Sequence, residues 1–435
     1  MTAGSSIYYH VRKRFARMRP TRAVALVAVV ALLVLAGCQA PGTPQNANFA
    51  PDVTVVNATG AEQGTTIPVA DDGSVDPGAV FAEVQALLGS DVPPPSNVRV
   101  LDDVDDLSVN VSMPQESPVR RYLNVTRRGD LDLGDQENGA VGVLGSITIY
   151  PGQDRDREST TWVLAHELAH YVQVRSDVDD HLRDRIAMDT TDGRFTQRAM
   201  MEGPAVYTTE AYLDEYLPTA NSTLALYNRI DEGLPAGSAG VYSNRQYLIG
   251  YHYVQRQVDS PAELDELYND SALTSEHLIH GDDPATEPMA ALDVTFEGGS
   301  DWTVTGRDRM GEAFVWTALE DRLGTERARE AAAGWGNDSL LTVYPVGESE
   351  REVSFAWVLR WDDAANATEF AADSRAYVER AGTGSGDLTQ LDSGAFATVA
   401  TPGERTTVLL LGDRSFVDEA ALSATDGSVT VSAAG

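Results

Sequence analysis

Thr160-Thr161-Trp162-Val163-Leu164-Ala165-His166-Glu167-Leu168-Ala169-His170-Tyr171-Val172-Gln173-Val174-Arg175 contains neither Pro nor Gly, and its apolar residues recur at helical spacing. Thr160 or Thr161 can cap the helix that this pattern predicts. His166 and His170 are four apart, so on a helix both imidazoles leave from one face and reach a single metal ion. Glu167 then stands beside that ion, placed to take a proton from water. The bland alternative is a buried helix that holds two histidines by chance. With only seven histidines in 435 residues, the metal reading is favoured, and the pattern is that of zinc-dependent hydrolases, most often peptidases.

A catalytic zinc takes three protein ligands and keeps one position open, so a third donor is expected from another helix. Glu202 is the best candidate. It lies in Ala199-Met200-Met201-Glu202-Gly203-Pro204-Ala205-Val206-Tyr207, an apolar stretch where an acid is costly to bury unless paired or metal-bound. The alternative is an acid at a helix end facing solvent. The helix over about 194–217 also holds Pro204, which either kinks its axis or falls harmlessly in its first turn.

His-Glu-x-x-His followed by Glu-Gly-x-Ala resembles the gluzincin metallopeptidases. The resemblance implies that His166, His170 and Glu202 hold Zn2+ and that Glu167 is general base and acid. It extends, over roughly 140–415, to a group of bacterial and haloarchaeal surface proteins. The strings that carry it further are Tyr247 to Val254, Thr274-Ser275-Glu276-His277-Leu278-Ile279-His280-Gly281, Gly334-Trp335-Gly336 and Trp361 to Phe370. A hydrolytic transition state also needs a donor for its oxyanion. His280, which matches that group's string, is the first choice, with Tyr207, Tyr212, His252 and His277 as alternatives. The acidic run 177–192 reads as a solvated face and lacks a calcium-loop pattern. Asp192 alone is a candidate partner for a zinc-bound imidazole.

The ends of the chain read differently. Six basic residues precede an unbroken apolar run of 14 residues, Ala23 to Ala36, which leads into Leu35-Ala36-Gly37-Cys38. That run is short for a membrane span and suits a signal peptide. The tetrapeptide looks like a lipobox, which makes Cys38, the single cysteine, the lipidation site. An uncleaved anchor is the alternative and gives the same outward topology. Residues 1–37 are thus expected to be a lipoprotein signal peptide and 38–75 a flexible tether. A mainly helical, zincin-like metal domain is expected over 76–294 and a smaller α+β module over 295–435, an α+β fold class. Within the first domain a helix is expected at 78–89, with strand-like segments at 98–101, 120–126 and 141–150.

Charge speaks to habitat. The chain carries 32 basic and 66 acidic residues, and removal of the leader leaves 26 basic ones and a net charge of −40, with every remaining basic residue an Arg. An acidic, lysine-free surface suits concentrated salt, where screening shortens to a few ångströms, and predicts a haloarchaeal source. No basic patch survives to hold nucleic acid. Seven Asn-x-Ser/Thr sequons add weak support for an exported glycoprotein.

The sequence therefore predicts a zinc metallopeptidase, lipid-anchored on the outer face of the cell membrane, acting on peptides or proteins. A surface or envelope binding lipoprotein that keeps the fold without turnover is the alternative. A pro-enzyme covered by 39–140 is a weaker third.

Overall fold

The computed structural model describes residues 54–56, 66–69, 73–101, 117–126, 138–141, 145–152, 156–347, 352–385 and 388–433. The leader and Cys38 lie outside them. Among the described residues no helix is long and apolar enough to cross a membrane. The chain mixes helix and strand, and it divides into two compact units.

The described residues of the first unit fall within 1–83, 93–112 and 133–171. Its sheet orders Thr54–Val56, Asn97–Val100, Ser146–Tyr150 and Asn138–Val141. Asn97–Val100 and Ser146–Tyr150 run parallel, while the outer pairings are antiparallel. Val98, Val100, Ile147 and Ile149 alternate into the interior, the period-two signature of a strand. The helix Arg157–Arg175 follows this sheet. Asp156 starts it by accepting the Ser159 N–H at 2.7 Å, so the cap is Asp156 and neither Thr160 nor Thr161. Tyr171 fastens the helix within this unit: its hydroxyl donates to the Pro93 carbonyl at 2.8 Å and its ring meets Phe81 edge-on.

The second unit holds 84–92, 113–132 and 172–435. The long helix Thr191–Tyr216 and the helix Ala239–Gln257 form its helical centre. They meet through two glycines. A Cβ on Gly203 would lie 2.2 Å from the Gly250 carbonyl carbon, and one on Gly250 would lie 2.3 Å from the Ala199 oxygen. Only hydrogen fits at either place, so the backbones approach as closely as helices can. Pro204 sits inside the long helix, which settles the two alternatives for it: the helix runs through, without the bond that residue 204 would donate to the Met200 carbonyl.

The expectation of a strand over 120–126 is corrected, for Pro118–Tyr122 is helical. Pro118 at the first helical position fixes φ where its missing N–H costs nothing, and this outweighs the β-preference of Val119 and Tyr122. The expected helix over 308–323 divides as well. Trp302–Asp308 is a strand, and the helix begins at Glu312 after Gly311, whose φ is +82°.

Seven antiparallel strands make the main sheet of this unit, in the order Gly382–Ser385, Leu388–Leu391, Phe396–Gly403, Thr406–Gly412, Ser354–Trp361, Trp335–Pro345 and Trp302–Asp308. The central strand Ser354–Trp361 is buried at every position. Its Phe355, Trp357 and Leu359 join a core with the helices Glu312–Leu323 and Ala364–Arg380, while Ala356 and Val358 face Phe416, Val429 and Val431. Asp338 pins this layer. It accepts the Met310 and Gly311 N–H groups and both indole N–H groups of Trp335 and Trp357, at 2.8–3.1 Å.

Candidate metal centre

His166 and His170 lie one turn apart on the helix Arg157–Arg175. Their Nε2 atoms are 3.1 Å apart and their rings stand at 88°. Glu202 lies on the long helix. One ligand atom from each of His166, His170 and Glu202 lies within 4.8 Å of the others. All three residues expected to bind metal are thus brought together. His166 and Glu202 are 3% and 2% exposed, so a charged carboxylate there needs a cation or strong donors close by. Arg198, one turn earlier on the same helix, has Nε 4.0 Å from Glu202 Oε1, too long for a hydrogen bond. Two imidazoles and a carboxylate are a donor set that suits a divalent metal and leaves a coordination position open.

Glu167 is 1% exposed. Its neighbour in sequence is a ligand, yet successive helical residues project about 100° apart, so it stands beside the donor set and is not part of it.

Two features that sequence reasoning missed hold Glu202 in place. The first is Gln173, whose Nε2 donates to the Met201 carbonyl and to the Tyr268 hydroxyl, each at 2.9 Å. Gln173 follows His166 by seven and His170 by three, on the same stripe of its helix, and it grips the residue before Glu202. That stripe was the signal available in the sequence. The second is the Gly203–Gly250 crossing. Its signal was the glycine in each of two strings, but their pairing requires the fold.

The remaining expectations fall elsewhere. His280 ends the short helix Ser275–His280, and its Nε2 lies 3.0 Å from both carboxylate oxygens of Glu312. It is outside the three-residue cluster. His277 bonds Thr274 Oγ1 and the Glu287 carbonyl, and His252 packs on Tyr251. Tyr207 reaches the Val258 carbonyl, and Tyr212 stacks on Tyr216. Asp192, watched as a partner for an imidazole, is corrected. Its buried carboxylate accepts the Ser275 N–H and hydroxyl and pairs with Arg309. Burial pushes its pKa up, and Arg309 and Ser275 oppose that. Among the sequons, Asn124, Asn337 and Asn366 already donate their amide nitrogens to Asp321, Ala290 and Ala333.

Residues 302–425 match a family described as a domain of unknown function (DUF8575). They span the seven-stranded sheet and its helices, and the metal cluster precedes them. No curated protein and no solved structure matches the chain.

Proposed function

We propose that His166, His170 and Glu202 bind zinc and that the chain hydrolyses peptide bonds on a zincin-like helical core. The buried convergence of two imidazoles with one carboxylate carries this reading. Two nitrogens each about 2.0 Å from a tetrahedral zinc stand about 3.3 Å apart, close to the 3.1 Å between the two Nε2 atoms. A bound zinc supplies a Lewis acid and lowers the pKa of water to near neutrality. Glu167 takes the proton of the attacking water and returns it to the leaving amine. Its burial keeps competing solvent from that proton. His280 is engaged by Glu312, and we assign it no step. The lipobox and the acidic, lysine-free composition support an address at the outer membrane face, held there by lipid on Cys38 in a salt-rich habitat.

Elemental analysis of the purified chain in molar potassium chloride tests the metal reading. About one zinc per chain is expected, with loss in His166→Ala and Glu202→Ala. A wild-type protein free of divalent metal after zinc loading refutes the site. Zinc retained without turnover on a peptide library removes the peptidase and leaves the binding lipoprotein.

A further inference from the structure

Glu276 is a buried acid that the metal chemistry does not use. It lies on the helix Ser275–His280, four residues before His280, so both side chains leave from one face. His280 in turn lies 3.0 Å from both oxygens of Glu312. Glu276 is 4% exposed and Glu312 1%, while the His280 side chain is 36% exposed. Two buried carboxyls therefore lie beneath an imidazole that reaches solvent.

Among the described residues no N–H or O–H group donates to Glu276. The charges that act on it most are acidic: Glu312, then Asp362, Glu287 and Asp192. Burial, followed by these neighbours, raises its pKa to about 10. Cations are near but committed. Arg329 acts on Glu312 and His280, yet its guanidinium lies over the Trp316 ring. Arg405 gives Nη1 to the Asp362 carbonyl. A buried carboxyl without a donor is costly, and a cation that brings N–H donors relieves both the desolvation and the mutual repulsion.

We infer that Glu276, together with the Glu312–His280 pair, forms a second binding site that takes an organic cation of the ammonium or guanidinium type. A bare metal ion does not fit. Among the described residues only His166, His170 and Glu202 bring three ligating atoms within 4.8 Å of one another, so the Glu276 group is too open to close on one. An alkylammonium or guanidinium head spans such a gap, and a planar guanidinium can serve two carboxylates at once. The site stands independently of zinc and of peptide hydrolysis.

The test uses the full chain in molar potassium chloride, titrated separately with methylguanidinium, methylammonium and magnesium chlorides. The readout is the His280 imidazole resonance, identified by its loss in His280→Gln. A saturable shift with at least one organic cation is expected, weakened by about tenfold or more in Glu276→Gln while zinc content holds. In the wild type, binding ionises a protonated carboxyl, so affinity should rise about tenfold per pH unit below that group's pKa. That profile decides the matter even where the Gln variant does not fold. The site is overturned by no saturable shift with either organic cation, by equal affinity in Glu276→Gln, by saturation with magnesium, or by a flat pH profile. Two carboxyls that merely share a proton give the first of these results.

Discussion

Gly203 and Gly250 touch backbone to backbone, and Gly203 directly follows the carboxylate ligand. A methyl group at residue 203 would lie 2.2 Å from the Gly250 carbonyl carbon, so one of the helices Thr191–Tyr216 and Ala239–Gln257 must move. Gly203→Ala is expected to cost about 1–3 kcal/mol as an overpacking change and to lower the melting temperature. Because the shift starts beside Glu202, zinc affinity measured against a chelator should fall too. An unchanged chelator competition would show that the crossing supports the fold alone.

Glu167→Gln keeps the size and burial of the side chain and removes its basicity. Zinc content should stay at the wild-type level, while peptide turnover falls by about 10²–10⁴-fold. Undiminished turnover would remove Glu167 from proton transfer.

Asp192→Ala strips partners from Ser275 and leaves Arg309 buried without its counter-charge. Breaking such a pair costs about 3–5 kcal/mol, which thermal or denaturant unfolding will report. Zinc stoichiometry in the folded fraction should not change. Selective loss of zinc with stability intact would return Asp192 to the metal centre.

The Glu312–His280 pair gives stability a direction with pH. Burial raises the Glu312 carboxyl to about 7, against the pull of His280, and the bond to Glu312 raises the His280 pKa. Both groups hold protons more tightly folded than unfolded, so their contribution is complete below about pH 4.5 and is lost as pH climbs through about 7 and beyond. Asp338, raised to about 6 by burial, acts with the same sign. The comparison is therefore between proteins: from about pH 5 to about pH 8 the wild type should lose more melting temperature than Glu312→Gln. Parallel curves for the two would mean that the pair does not titrate in this range.

Much of the metal cluster could be read before any fold was known, because its information is local. Spacing by four on a helix places two imidazoles, and an acid inside an apolar run announces that something must neutralise it. The supports were hidden because each joins distant segments. Gln173 needs Met201 and Tyr268, Gly203 needs Gly250, and Asp192 is claimed by Ser275 and Arg309. Local β-preference misled at 120–126, where one proline at the helix start decided otherwise. Glycine misled at 308–323 by its conformation, since the left-handed φ of Gly311 is invisible in a hydropathy pattern. The strands of the seven-stranded sheet were largely legible, but not the faces they cover.

That sheet has a consequence for its own alignment. Alternating polarity normally punishes a strand that pairs one step out of place, and Ser354–Trp361, apolar neighbours on both sides, has no wet face to object. The indoles of Trp335 and Trp357, converging on one carboxylate of Asp338 from adjacent strands, act as the index mark. Exchanging either tryptophan for phenylalanine would preserve greasiness and most of the volume while erasing the only polar cue to which rung belongs opposite which.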